Sequence, residues 1–332
     1  MTTRYAESHR NPQGPGDARP TARQIIADEG LEDGWGDKVV FITGASSGLG
    51  VETAKALSTT GAHLYLAARD LDKTRTALGE LSGSPRVHLL QLDLASFASV
   101  RACATEFLSK NKTLNIFIAN AGVMATPESR TEDGFETQFG TNHLGHFLLF
   151  NLLKPALLEA ATPENNSRAL ILSSLGHRQG EVNFDNYNLE GAYDPFAAYG
   201  QSKTANLWTA NEIDRRYSSQ GLRAFSIQPG WIRTGIVQHL PEEVVSSLSS
   251  DPALPPQFKT PEQGAATTVW GATSKSLDGM GGKYLENSQI AIEWDSNDGP
   301  HGTGYAPHAY SPEKEKKLWE LSLRLVGLGD ES

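Results

Sequence analysis

The sequence predicts an α/β fold: a single doubly wound parallel sheet of about seven strands, with helices on both faces. Three observations predict it. Short apolar runs alternate with segments of helical period from residue 38 onward. A glycine-rich turn joins the first such run to the first long helical segment. Glycine is plentiful, at 32 of 332 residues, which suits many tight strand-to-helix turns. Right-handed crossovers between repeated βα units give a Rossmann-type strand order of 3-2-1-4-5-6-7.

The elements follow in order. Residues 1 to about 20 are polar, rich in Pro, Gly and Arg, and read as a disordered arm. Thr21 caps a short helix, and Gly34 and Gly36 separate it from the first strand. Residues 1–36 are therefore an extension, and 37–332 one domain with no composition shift inside it. Residues 39–43 form an apolar run, as a strand covered on both faces should. Residues 48–60 are helical, with Leu49, Ala54, Ala56 and Leu57 available to one packed face. Strand 63–68 leads to helix 70–81, which Ser82-Gly83-Ser84-Pro85 closes. Strand 87–92 leads to helix 96–110, with Ser96 near its cap. Strand 114–119 leads to a long helix over about 135–160. Strand 168–173 leads to another over about 196–219, which Gly221 stops. Strand 222–228 ends at Pro229-Gly230. A proline-interrupted insertion fills 235–260, and Thr260-Pro261-Glu262-Gln263 restarts a helix with cap, proline and acceptor in favoured places. Leu318, Trp319, Leu321 and Leu325 mark a C-terminal amphipathic helix, read as packed on its own core, with peripheral membrane contact as the alternative.

Composition removes several function classes. Acidic residues outnumber basic ones by 39 to 29, and a net charge of −10 gives no general attraction to nucleic acid. The single cysteine, Cys103, excludes an intrachain disulfide and any multi-thiolate metal site. Nine histidines show no ligand spacing with carboxylates, so no metal is expected. The longest apolar stretch, 147–158, is interrupted by Asn151, Lys154 and Pro155 and is too short to span a bilayer. The first twenty residues lack the apolar centre of a secretory signal. No integral membrane segment and a cytoplasmic location are expected.

The strongest motif is Thr43-Gly44-Ala45-Ser46-Ser47-Gly48-Leu49-Gly50, set between strand and helix as a dinucleotide site requires. Gly44 permits the tight turn, Gly48 admits a pyrophosphate to the backbone, and Gly50 lets helix and sheet approach. Free amides at the helix start favour an anion. At the end of the second strand, Ala67-Ala68-Arg69-Asp70 lacks the acidic side chain that holds a ribose 2′-hydroxyl. Arg69 instead suits a 2′-phosphate, with Ser46 or Ser47 adding a hydroxyl. NADP(H) is therefore the expected cofactor. Tyr199 and Lys203 stand four apart on a helix and share a face.

The glycine spacing resembles that of the short-chain dehydrogenase/reductase family. The resemblance extends through Asn120-Ala121-Gly122, Asn142-His143-Leu144-Gly145, Ser173-Ser174, Tyr199-Gly200-Gln201-Ser202-Lys203 and Pro229-Gly230-Trp231-Ile232-Arg233-Thr234. These occur in the family's order over about two hundred residues, and the finer pattern is similar to the retinol-dehydrogenase-like branch and related fungal reductases. The resemblance implies that Tyr199 is the general acid/base. Lys203 lowers the phenol's pKa and holds the nicotinamide ribose, and Ser174 holds the substrate oxygen. It implies that Asn142 completes a proton relay through a water. It also implies cofactor contacts from Asp93, Leu94, Asn120, Ala121, Gly122, Tyr199, Lys203, Pro229, Gly230, Ile232 and Thr234. Residues 235–260 become a substrate lid, and the long 175–198 interval borders the pocket. His177 there reads as a solvated loop histidine with an option to touch substrate. Met124 and Trp231 suit an apolar wall.

The expected activity is NADPH-dependent reduction of a ketone or aldehyde, reversible, on a lipophilic metabolite such as a retinoid, steroid or polyketide. The competing readings are a non-redox isomerase or cyclase on the same scaffold, and a dinucleotide-sensing binding protein. The partner is a small carbonyl or alcohol, and the resemblance allows a homodimer through the two long central helices.

Overall fold

The computed structural model describes residues 4–162 and 165–329. Five strands rise in the first part of the chain: β1 (Val39–Thr43), β2 (His63–Ala68), β3 (Val87–Gln91), β4 (Ile116–Ala119) and β5 (Ser167–Leu172). β6 (Leu222–Gln228) completes the expected set. Two short strands, β7 (Trp231–Ile232) and β8 (Phe258–Lys259), pair with each other outside the main sheet. β9 (Lys283–Glu286) and β10 (Gln289–Ile290) return to it. The main sheet reads 3-2-1-4-5-6, then β9 in seventh place and β10 in eighth. Every pairing is parallel except β9 with β10. That last hairpin turns on Asn287 and Ser288, both at positive φ (55° and 54°). A two-residue strand leaves no periodicity to read, so the sequence does not announce it.

β1, β4 and β5 are buried along their whole length because both faces are covered. One core lies under α1 (Ala22–Asp28), α2 (Gly48–Ser58), α3 (Leu71–Leu78) and, later in the chain, residues 265–272. The other lies under α4 (Phe97–Lys110), α5 (Gly145–Ala160) and α6 (Pro195–Tyr217). Between β7 and β8 lies α7 (Glu242–Ser250). Thr260 and Gln263 form a capping box on α8 (Pro261–Gly264), which runs into α9 (Ala266–Thr273). The chain's last helix is α10 (Pro312–Leu325).

Four expectations change. Residues 1–3 lie outside the described residues, but the rest of the expected disordered arm is packed: Tyr5 is 6% exposed and Arg19 4%. Arg19 pairs with Asp17 and donates to the carbonyls of Gly14, Pro256, Gln257 and Phe258. Gln263 donates to the carbonyls of Asp17 and Arg19. The arm thereby ties into residues 256–263, through contacts some 240 residues apart that no local pattern reveals. Secondly, the long helix expected from residue 135 starts at 137, and its first turns (Phe139–Leu144) are π-helical. Thirdly, His177 is fully buried, not solvated. Its ring bridges the Ser174 carbonyl and the Ala306 amide.

The fourth concerns assembly. The outer face of α5 and α6, where the resemblance places a homodimer contact, is covered by the chain's own α10. Trp319 packs edge-on against Phe147 (4.9 Å) and lies 6.2 Å from the Tyr217 ring.

Candidate active site

The C-terminal ends of the parallel strands share one edge of the sheet, where a switch in strand order leaves a crevice between β1 and β4. The glycine turn sits there. Gly44 and Gly48 have φ of +74° and +57°, conformations that favour glycine. A Cβ on Gly50 would lie 2.2 Å from the Gly44 carbonyl oxygen, so close approach fixes that residue too. Ser47 is the N-cap of α2 but makes no side-chain cap bond. The first amides of the helix are thus left for an anion. This arrangement fits the pyrophosphate of a dinucleotide. Ser46 is half-buried beside the turn, and Leu49 packs beside Ile232 where Gly264 leaves room.

The next strand ends carry the rest of the expected cradle. Arg69 follows β2, is exposed, and has no ion pair among the described residues. Asp70 is committed to capping α3, and Asp72 pairs with Arg75. Asp93, half-buried after β3, accepts from the Ala95 amide, and Leu94 is buried against Gly145. Asn120 donates to the Thr43 carbonyl (2.9 Å) and so clamps the glycine turn. The amides of Asn120 and Ala121 both donate to the Thr43 hydroxyl, each at 3.0 Å. Past β6, Pro229 accepts from Lys259 Nζ (3.1 Å), and Gly230 turns at φ +107°. Thr234 faces Gly48, with its methyl 3.1 Å from where a Cβ there would stand. β7 and β8 hold this segment from outside.

The proton-bearing groups lie over β4 and β5. Ser173 and Ser174 point different ways: Ser173 Oγ donates to the Lys203 carbonyl in the interior, whereas Ser174 Oγ accepts from the Gly176 amide beside Tyr199. A Cβ on Gly176 would stand 2.8 Å from the Tyr199 ring, so only glycine lets this loop wrap the phenol. Lys203 Nζ donates to the Leu172 carbonyl (3.2 Å) and lies 5.4 Å from the centre of the Tyr199 ring. Asn142 accepts from the Val123 amide and donates to Ser202 Oγ. Gly122 is where these groups converge: a Cβ there would be 3.2 Å from Asn142 Oδ1 and 3.5 Å from Lys203 Nζ.

Burial governs the charges. It pushes the Tyr199 phenol up from its usual value, and the Ser174 hydroxyl opposes it by hydrogen bonding. It pulls Lys203 down to about 8. Burial therefore raises the phenol here, where the resemblance implied a lowering. Tyr199 keeps its proton at neutral pH, the form an acid needs.

The short chain dehydrogenase family model matches residues 38–244. The chain belongs to the short-chain dehydrogenases. It is 46% identical to the short-chain dehydrogenase/reductase prx1 of Penicillium roqueforti, over 98% of this chain and 96% of that protein. Retinol dehydrogenase 11 of Homo sapiens is 38% identical, over 88% and 86%. A crystal structure of a Mycobacterium paratuberculosis protein superimposes with a TM-score of 0.69 at 30% identity, covering 95% of this chain and 100% of that one. As a short-chain dehydrogenase the chain is an oxidoreductase of the carbonyl/alcohol type, built to take a nicotinamide dinucleotide. No helix among the described residues is long and apolar enough to cross a membrane.

Arg69 stands apart from the Ser174–Tyr199–Lys203 group, past β2 rather than β5. Two structural roles beside the site escape the motif reading, although it names both residues. Thr43 is a lone polar side chain at the end of an apolar strand, and its hydroxyl is the hub of the glycine turn. His177 is the other, and its proximity to Ser174 in sequence is the only signal of its role.

Proposed function

We propose that this chain reduces a ketone or aldehyde of a lipophilic metabolite with NADPH, reversibly. The convergence of Ser174, Tyr199, Lys203 and Asn142 beside the glycine cradle carries the reading. A bound nicotinamide supplies the hydride. Tyr199 gives its proton to the carbonyl oxygen as charge develops there, and the Ser174 hydroxyl donates a hydrogen bond to the same oxygen. Lys203, cationic below about pH 8, favours the phenolate left behind. Asn142 fixes the loop on which Gly122 and Val123 face the site.

The cradle would hold the dinucleotide through Gly44, Ser46, Ser47, Gly48, Leu49, Gly50, Asp93, Leu94 and the Asn120–Gly122 segment. Pro229, Gly230, Ile232 and Thr234 would meet the nicotinamide end. Arg69, free of carboxylate partners among the described residues, supports NADP(H) over NAD(H). A lipophilic substrate is supported by half-buried Met124 and Trp231 and by exposed Val237 and Val245 on the lid. Burial keeps Tyr199 protonated, the form in which it can give a proton to a carbonyl oxygen.

The test is NADPH oxidation, followed by absorbance, across a panel of ketones and aldehydes. Turnover is expected, and Tyr199→Phe should lower kcat by roughly 100- to 10,000-fold with NADPH affinity unchanged. Tight NADPH binding with no oxidation on any carbonyl would favour a dinucleotide sensor or a cyclase instead.

A further inference from the structure

Two buried side chains, Thr43 and His146, together with the backbone carbonyl of Asn142, link the glycine-turn side of the site to its Tyr199 side. Thr43 Oγ1 lies 2.8 Å from His146 Nε2, and His146 Nδ1 lies 2.9 Å from the Asn142 carbonyl oxygen. Thr43, Asn142 and His146 are all at most 2% exposed. The hydrogen positions follow from elementary rules. A carbonyl only accepts, so Nδ1 carries the proton and donates to Asn142. The neutral ring then leaves Nε2 as an acceptor, and the Thr43 hydroxyl donates to it. With its proton committed, the Thr43 oxygen keeps two lone pairs, and these take the amides of Asn120 and Ala121. The alternative, donation from Thr43 to the Ile118 carbonyl at 3.5 Å, is longer and would leave Nε2 without a donor. Burial and the neighbouring Lys203 both keep the ring neutral, holding it near pKa 4.

We propose that His146 is a positioning residue for proton transfer, locking the π-helical turn that carries Asn142 to the strand-end hydroxyl that carries the Asn120–Gly122 loop. The place of the π turn makes such a lock useful. In a π turn the backbone register slips by one residue, so the Asn142 side chain is aimed by a segment with weaker intrinsic geometry than an α-helix. The imidazole supplies a fixed strut across that slip, and ties it to the loop where Asn142 Oδ1 and Lys203 Nζ approach Gly122. A second restraint on Asn142, from Val123 and Ser202, acts on its side chain and not on its carbonyl.

The proposal rests on the reductase reading, and its test separates the two. His146→Asn keeps a donor where Nδ1–H stands and loses the contact to Thr43; His146→Leu loses both. With NADPH and a reducible ketone, His146→Leu is expected to lower kcat by roughly 10- to 100-fold. The solvent deuterium isotope effect on kcat should rise, while KM and the NADPH Kd stay within about threefold. His146→Asn, which breaks the tie to Thr43, is expected to lose most of what His146→Leu loses. Nitrogen-15 NMR of histidine-labelled wild-type protein at pH 7 is expected to show the Nδ1–H tautomer. Amide exchange at Asn120, Ala121 and Val123 should quicken in the Leu variant. Normal kcat in a folded Leu variant, full kcat in the Asn variant, or an Nε2–H or cationic ring would each overturn the proposal. If the wild type oxidises NADPH on no carbonyl, the reductase reading fails, and the tautomer and amide exchange still decide whether His146 is the strut. If the Leu variant does not fold, the wild-type tautomer and the Asn variant decide.

Discussion

At the scale of single residues, Arg69 and Lys203 carry opposite kinds of electrostatic work. Arg69 is exposed at the end of β2, and its nearest acidic neighbours in sequence are committed elsewhere, Asp70 to a helix cap and Asp72 to Arg75. A guanidinium so placed is available for a phosphate, and charge-assisted hydrogen bonds of this kind are worth about 1.5–3 kcal/mol. Arg69→Ala is therefore expected to raise the Kd of NADPH by roughly 10- to 100-fold and that of NADH by less than about threefold, by fluorescence titration. Equal losses for the two would refute the coenzyme preference. Lys203 works in the interior, where burial has already brought it to about 8. Its charge is lost as pH rises through that value. Carbonyl reduction is accordingly expected to decline above about pH 8, and a pH–rate profile flat to pH 10 would remove Lys203 from the proton-transfer step.

Elements set the tolerances around those residues. The glycine turn is held by contacts between backbones, which cannot move aside as side chains do. A Cβ at Gly50 would stand 2.2 Å from the Gly44 carbonyl and 2.7 Å from Asn120 Nδ2. Gly50→Ala is expected to cost about 1–3 kcal/mol in urea unfolding and to weaken dinucleotide binding. Gly83→Ala has nothing within 4 Å and no positive φ, so it should change stability by less than about 0.5 kcal/mol. The contrast also shows what local sequence can convey. Gly44, Gly48 and Gly50 were legible because strand, turn and helix adjoin in the chain, and strands β1 to β6 because their apolar runs are long enough to show a pattern. The packing of Arg19 against residues 256–258 was not legible, since its partners lie far off in sequence. His146 was overlooked because the functional atom it meets is a backbone carbonyl, which leaves no mark in side-chain spacing. His177 was misjudged because a loop in sequence is a buried bridge once residues 304–308 cover it.

At the scale of the whole molecule, the C-terminal segment converts a surface into an interior. α10 lays Trp319 over Phe147, Phe150 and Tyr217, so any homodimer seated on α5 and α6 would first have to displace it. Trp319 is 1% exposed, and Trp319→Ala is expected to cost about 3–5 kcal/mol, read from the urea midpoint. The same interior stores several uncharged histidines. Burial holds His143 near pKa 3 and His146 and His177 near 4, all well below the usual 6.5. Unfolding releases them to water, where they take up protons below about pH 6.5. Their contribution to stability is thus complete above pH 6.5 and lost progressively down to about pH 4. Each uncompensated proton weakens the fold by about 1.4 kcal/mol per pH unit. Glu286 acts in the other direction. Burial raises its carboxyl to about 7, so between roughly pH 4.5 and 7 the folded chain binds one proton that the unfolded chain does not, offsetting one histidine. His9, which burial also holds near pKa 3, is a fourth such ring, so the net over these five groups is an uptake of up to about three protons on unfolding at pH 5 to 6. The melting temperature should fall steeply from pH 6.5 to 5. His143→Gln, which removes one titrating ring and leaves a group able to bond Ser322, should flatten that slope. A melting temperature independent of pH over that interval would mean that these rings are already protonated, or solvated, in the folded protein.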